Sequence, residues 1–138
     1  MDTTPKYIKM CEMAEEIQEG WEPKEGNCAY SLRGGAYILF TQVILIGDAL
    51  GRFKFDHTWL PRQDQLQEMI NQDCVLHEQI ELFGEWCNPY DEYQRDHCRR
   101  MQNYVESLAS FEQLWLAYVM HEKYGKVWDD KKEEWVHL

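Results

Sequence analysis

The most constraining feature of the sequence is a helix start signal that is followed by an almost unbroken apolar run near the C-terminus. Residues 110–113 read Ser-Phe-Glu-Gln, a capping box in which the serine accepts a backbone N–H and Gln113 reaches back to the cap. Residues 114–120 carry no charged side chain, and Gly125 suits the C-cap. A helix that is apolar on most sides must be surrounded by other elements. We therefore expect the helix over residues 111–124 to be the most buried element, with Trp115 in the core.

The N-terminal segment predicts an amphipathic helix over residues 5–19. Thr4 suits the N-cap, Pro5 the first helical position and Gly20 the C-cap. An apolar stripe with helical spacing consists of Tyr7, Met10, Met13, Ala14 and Ile17. The opposite side carries four glutamates, which we call the acidic ridge: Glu12, Glu15, Glu16 and Glu19. The simplest interpretation of such a ridge is a solvated helix face.

The central part of the chain changes to strand-like patterns. Segments 28–32, 36–46 and 52–59 are rich in β-branched and aromatic residues and predict three strands, the middle one long. Residues 47–51 read as the turn between the last two strands, and Phe53, Phe55 and His57 alternate with Lys54 and Asp56 as on a strand with one wet face. The short connections favour antiparallel pairing.

Helical spacing returns after the predicted strands. Pro61 suits the start of a helix that runs to about residue 72, a second apolar set lies within residues 75–86, and a third runs from Tyr90 to Leu108. Residues 126–137 predict a short hairpin that could add to the sheet. The sequence thus predicts an α+β fold in a single globular domain over residues 1–138, with a small antiparallel sheet packed against several helices, and a buried C-terminal helix followed by a hairpin.

Charge narrows the possible partners. The chain has 25 Asp and Glu against 14 Lys and Arg, a formal net charge of −11. Such a balance argues against nucleic-acid binding as the main activity and against binding to an anionic membrane surface, because both need basic side chains.

The apolar segments bear on localisation. The longest apolar stretch is about half the length of a membrane-spanning helix, and the polar N-terminus does not resemble a signal peptide. We expect a cytoplasmic protein.

The cysteines do not indicate a metal site or a disulfide framework. There are five, an odd number, and none forms a Cys-x-x-Cys pair. The nearest approach to a ligand set is Cys74, His77, Cys87, His97 and Cys98, in which only the first pair has zinc-like spacing. Buried thiols are the favoured interpretation, and His97 is expected to be a hydrogen-bonded histidine in the core or at its boundary. We expect no metal and no cofactor.

The case for an enzyme is weak. Glu78 and Glu81 have the helical spacing with which all-α nucleotide pyrophosphohydrolases bind magnesium, but the second acidic pair fails because Glu92 is followed three residues later by Arg95. No nucleophile motif and no phosphate-binding glycine loop is present. A carboxylate-dependent nucleotide hydrolase therefore stays the weakest alternative, and no catalytic residue is assigned.

Three stretches resemble the small uncharacterised proteins that bacteriophages and prophages encode. They are residues 7–11, residues 59–69, and residues 112–117 continuing to residues 124–128. The resemblance covers roughly a third of the chain. It implies a phage or prophage origin and the cytoplasm of a host cell, and it implies no reaction.

A protein-binding module is the favoured function. Small acidic phage proteins commonly occupy host proteins, so the partner is expected to be a host or phage protein with a basic surface, whose activity such binding can inhibit. The expected contributors are the acidic ridge and four acids farther along the chain: Asp73, Glu78, Glu81 and Glu85. The alternative is a structural accessory protein that self-associates.

Overall fold

Helices and two small antiparallel sheets make up the structure. A computed structural model of the chain describes residues 1–39, 48–70 and 75–138. Its helices are α1 (Pro5–Glu12), α2 (Glu15–Glu19), α3 (Asp48–Asp56), α4 (Gln63–Glu68), α5 (Leu76–Cys87), α6 (Arg95–Glu106) and α7 (Phe111–Tyr124). Its strands are β1 (Cys28–Ser31), β2 (Gly35–Ile38), β3 (His57–Leu60), β4 (Lys126–Asp129) and β5 (Glu134–His137). The predicted α+β class is confirmed.

Helix α7 lies at the centre of the core, as predicted. Every side chain from Trp115 to Met120 is buried, and the helix packs against α1, α4 and β4. The Ser110 hydroxyl accepts the backbone N–H of Gln113 at 3.1 Å, and Gly125 ends the helix in the left-handed conformation with φ 62°. The capping box is only half formed, because the Gln113 amide oxygen accepts the N–H of Ala109 at 3.0 Å.

The predicted N-terminal helix is interrupted at Met13 and Ala14. The Gln18 side chain explains the break, because its amide nitrogen donates to the Cys11 carbonyl at 3.0 Å. The same amide pairs with the backbone of Trp59 in β3, accepting its N–H at 2.8 Å and donating to its C=O at 3.0 Å. The predicted apolar stripe nevertheless faces the core on both helices. Gln18 thus fixes α2 against the sheet edge.

The main sheet has the strand order β2-β1-β3, and both pairings are antiparallel. The first two predicted strands are confirmed over residues 28–31 and 35–38, while residues 40–47 lie outside the described part of the chain. The third predicted strand is wrong over residues 52–56, which belong to α3, and so is the turn over residues 48–51. Phe53 and His57 are four residues apart and their rings stack at 4.0 Å, a helical relationship that the alternating pattern also allowed.

The remaining predicted helices are present: α5 matches its predicted segment, whereas α4 and α6 are shorter than predicted. Helix α4 begins at Gln63, after a buried Pro61, and the third apolar set forms α6 only from Arg95. Tyr90 and Tyr93 lie before α6 and are exposed. The expectation that His97 lies in the core or at its boundary is wrong, because its side chain is exposed. Helix α6 instead turns Cys98, and residues one helical turn after it, toward the core.

The C-terminal hairpin is confirmed, but it does not extend the main sheet. Strands β4 and β5 pair only with each other among the described strands, with Trp128 opposite Trp135 and their rings 5.3 Å apart. The Trp135 indole donates to the Met10 carbonyl at 2.9 Å. This contact ties the hairpin to α1, so the hairpin closes a side of the core that the main sheet does not reach.

Candidate functional site

The acidic ridge is only partly a free surface. Glu12, Glu15 and Glu19 are exposed, and Glu12 accepts a hydrogen bond from Lys9 at 3.1 Å. Glu16 is half-buried and pairs with Lys126 of β4. Burial raises the pKa of Glu16, but the hydrogen bond and charge of Lys126, a backbone hydrogen bond and the charge of His137 together outweigh it, and the pKa lies below its ordinary value. Glu16 therefore has a structural role, and three ridge carboxylates face solvent.

The second set of predicted acids lies on α5. Glu78, Glu81 and Glu85 are exposed, while Phe83 and Trp86 turn toward the core. The Phe83 ring stacks on Trp115 of α7 with centroids 3.9 Å apart. This stacking holds α5 with its carboxylates outward. Asp73 lies outside the described residues.

A cavity of about 520 Å³ opens beside the end of α2. Its apolar lining includes Trp21, Trp59 and Met69, and the two indoles are nearly parallel with centroids 6.1 Å apart. The Trp21 indole N–H is held by the Asn27 side chain at 3.0 Å, which fixes this ring. The charged residues at this cavity are Glu22, Lys24, Glu68 and Lys123.

A second cavity of about 480 Å³ lies between α5 and α7. Its apolar lining consists of Met69, Ile70, Leu82, Trp86 and Tyr118, and its charged lining of Glu85, Glu122 and Lys123. The Trp86 and Tyr118 rings pack with centroids 5.2 Å apart.

The two cavities adjoin, because Met69 and Lys123 line both. We call the pair the aromatic groove. Its volumes fall within the range of ligand-binding clefts. Of the predicted site residues, Glu85 lines the groove, and Glu19 directly precedes the lining residues Gly20 and Trp21. The structure thus brings one end of the ridge and one end of the α5 acids to the same groove.

Two indole donors in the groove lack partners. Trp59 and Trp86 are each 8% exposed, and neither Nε1 has a hydrogen-bond partner among the described residues. A buried donor without an acceptor is uncommon in folded proteins. The sequence places Trp59 at the end of a predicted strand and Trp86 at the end of a predicted apolar helix segment, and it does not indicate that the two share one groove.

The cysteine and histidine residues show no metal centre within the described ranges. No group of three or more His, Cys, Asp or Glu side chains in those ranges is placed to hold a metal ion. Cys74 of the candidate ligand set lies outside them. Burial raises the pKa of the Cys11 thiol well above its ordinary value, which makes the thiol a poor nucleophile.

The carboxylates with shifted pKa values have structural partners. The hydrogen bond from Arg62 lowers the pKa of Asp64. Burial raises the pKa of Asp2, but hydrogen bonds from Ser110, Thr4 and Gln113 outweigh it, and the net shift is downward. Lowered values keep these groups ionised, which suits hydrogen bonding and does not suit a general acid. Asp2 and Asp64 are therefore held as ionised hydrogen-bond acceptors within the fold.

Comparisons with protein-family models, with characterised proteins and with solved structures give no match. None of the helices in the described ranges is long and apolar enough to span a membrane.

Proposed function

We propose that this protein binds another protein, which presents a basic surface to the carboxylates around the aromatic groove. The observation that carries the proposal is the groove itself: buried aromatic residues line it, and four carboxylates stand against two ammonium groups at its sides. Exposed Glu15, Glu19 and Glu81 extend the negative field beyond it.

The charges and the aromatic residues serve different parts of such an interaction. Carboxylates of one sign steer a basic partner toward the surface and raise the association rate. Tryptophan and tyrosine are the residue types that contribute most binding energy once water is excluded. The combination favours a protein partner over a free cation, because a cation would leave the aromatic lining unused.

The resemblance to phage and prophage proteins extends the proposal to the partner's origin. A host or phage protein in the host cytoplasm fits it, and occupation of that protein's basic surface would inhibit its activity. The proposal thus includes the origin of the partner in the host or the phage and the inhibition of the partner's activity.

Reversing three of the predicted acids tests the electrostatic mechanism. We expect Glu15→Lys, Glu19→Lys and Glu85→Lys together to slow association with a partner captured from host lysate by tenfold or more, with a smaller change in the dissociation rate. Added salt should slow the wild-type protein as well, because the Debye length falls from about 10 Å at 0.1 M to about 3 Å at 1 M. Surface plasmon resonance measures both rates.

A matched variant separates the effect of the position of the charges on the association rate from the effect of the total charge. Glu92, Glu106 and Glu133 are also exposed and lie away from the lining of the groove. Their triple reversal to Lys changes the net charge equally and should alter the association rate by less than about threefold. Equal slowing by both variants, or a rate indifferent to salt, contradicts the mechanism.

Self-association is the second candidate function, and an apolar strip on α5 favours it. Leu76 and Ile80 lie one helical turn apart and are 67% and 58% exposed, and adjacent Val75 is 54% exposed. We expect light scattering to show a concentration-dependent rise in mass that Leu76→Lys with Ile80→Lys abolishes, because charged side chains resist burial in such a contact. A monomer at all concentrations contradicts this alternative.

A further inference from the structure

The half of the aromatic groove between α5 and α7 has the features of a pocket that accepts an apolar side chain. Leu82 is 44% exposed although it stands beside Trp86, which is buried. A lone exposed leucine is ordinary on a protein surface, but this one lines a concave site with Ile70 and Tyr118. An apolar side chain placed there would remove these surfaces from water together.

The charged residues beside this pocket determine which other residues a bound segment can carry next to its apolar side chain. Glu85 and Glu122 line it with one cation, Lys123, whose ammonium lies 5.8 Å from the centre of the Tyr124 ring. In the other half of the groove Lys24 is within 3.7 Å of Glu22, which leaves Glu68 as the carboxylate facing a partner. The excess of carboxylates along the groove is complementary to arginine or lysine residues and repels acidic segments and nucleic acid.

The two unpartnered indole donors point to a peptide as the occupant. The Nε1 atoms of Trp59 and Trp86 are buried without an acceptor among the described residues, and each belongs to a residue that lines one half of the groove. A peptide backbone brings a carbonyl acceptor with every residue, whereas an apolar ligand brings none. Because both Nε1 atoms are buried, a peptide carbonyl can accept from either indole only after that ring rotates toward the groove.

We propose that the aromatic groove binds a peptide segment of the partner, with an apolar side chain in the pocket of Leu82, Trp86 and Tyr118 and basic residues beside Glu85, Glu122 and Glu68. This inference rests on the proposed function and names the chemistry of the partner segment. The partner segment would then contain both apolar residues such as leucine and basic residues such as arginine.

Defined peptides test the inference on the intact protein. The probe is a fluorescein-labelled arginine-rich peptide that contains leucines, compared with the same peptide carrying serine at each leucine and with one carrying glutamate at each arginine. We expect the leucine–arginine peptide to bind at least tenfold more tightly than the serine version, by fluorescence anisotropy. The glutamate version should not bind.

Nuclear magnetic resonance locates the bound peptide. The indole N–H signals are assigned with Trp→Phe variants, and those of Trp59 and Trp86 should shift when the leucine–arginine peptide is added. The signal of Trp135 serves as the internal reference, because its N–H is already held by the Met10 carbonyl. A Trp135 shift as large as that of Trp86 overturns the location.

A pair of leucine substitutions supplies the matched variants. Leu82→Ser should weaken the leucine–arginine peptide about fivefold and leave the serine version unchanged, because only the apolar contact is lost. Leu32→Ser changes a leucine that is 86% exposed in the turn after β1 and should alter neither affinity.

The outcomes distinguish the groove inference from the function on which it rests. Equal binding of the leucine and serine peptides, with both weakened by the Glu15, Glu19 and Glu85 reversals, overturns the apolar pocket and leaves the acidic protein-binding surface standing. Absence of binding by the leucine–arginine peptide also overturns the pocket. Binding of the glutamate peptide alone overturns both.

Discussion

Replacing Trp115 by Ala is expected to lower the free energy of unfolding by about 3–5 kcal/mol, the range measured for large aromatic residues in cores. Trp115 is 5% exposed, and its ring stacks on Phe83 of α5 and meets Tyr118 edge-on at 5.7 Å. The substitution therefore leaves a cavity between α5 and α7 and removes the contact that orients α5. Urea denaturation followed by circular dichroism measures the loss.

Phe111 provides the control on the same helix. It is 64% exposed at the first position of α7, so Phe111→Ala should cost less than about 1 kcal/mol. A loss below about 1 kcal/mol for Trp115→Ala would mean that α7 is not the centre of the core. If the aromatic groove binds a peptide as proposed, Trp115→Ala should also lower the affinity for that peptide, because α5 carries Trp86 and Leu82.

The sequence predicted those parts of the fold that depend on local chemistry. The serine cap, the long apolar run and the αL glycine together define α7, and each acts within a few residues of the chain. The hairpin over residues 126–137 has the same character, since its two strands are joined by a short turn. The first two strands of the main sheet were also predictable from composition.

The predicted secondary structure is wrong where the strand period of two residues and the helical period of 3.6 residues both fit the same short segment. Phe53, Phe55 and His57 alternate along the chain, but Phe53 and His57 also lie one helical turn apart. In the structure this segment is helical: the rings of Phe53 and Trp21 pack with centroids 5.8 Å apart, and Phe55 is 91% exposed. The break before α2 was unpredictable for another reason, because the Gln18 side chain that bonds to the Cys11 carbonyl is itself held by Trp59, which is 41 residues away.

The candidate site was predictable in its charge and not in its shape. Acidic residues with helical spacing are visible in the sequence, and most of those in the described residues are exposed. The exception is Glu16, whose partner Lys126 is 110 residues distant. The aromatic groove forms where the segment after α2 meets β3, α4, α5 and α7, and no local pattern indicates which tryptophans then line it together.

Removal of the Asp2 carboxylate is the second change with a large expected effect. Its Oδ2 accepts hydrogen bonds from the Ser110 hydroxyl at 2.5 Å and from the Gln113 amide at 2.8 Å, and its Oδ1 accepts the Thr4 N–H at 2.8 Å. The carboxylate thus joins the N-terminal segment to the start of α7, where the helix dipole favours negative charge. We expect Asp2→Ala to cost about 2–3 kcal/mol, because buried Gln113 loses its shorter hydrogen bond and keeps only the one to the Thr4 hydroxyl at 3.3 Å, while Ser110 and the Thr4 N–H lose their acceptor.

Asp64 supplies the comparison for this carboxylate. Its pKa is also lowered, but it is an exposed partner of Arg62. Asp64→Ala should therefore cost less than about 1 kcal/mol, as is usual for surface ion pairs. Similar losses for the two variants would contradict a structural role for Asp2.

The same carboxylate should make stability depend on pH in acid. Because hydrogen bonding holds the pKa of folded Asp2 below its ordinary value of 3.8, the unfolded chain binds the proton more readily. The contribution is fully present above the unfolded pKa and is lost as the pH falls through the folded one. Urea denaturation between about pH 6 and pH 2 should show wild-type stability falling below about pH 4 more steeply than that of Asp2→Asn, which has no carboxylate to protonate there. Parallel curves for the two proteins would show that Asp2 is not held in its charged form by the start of α7.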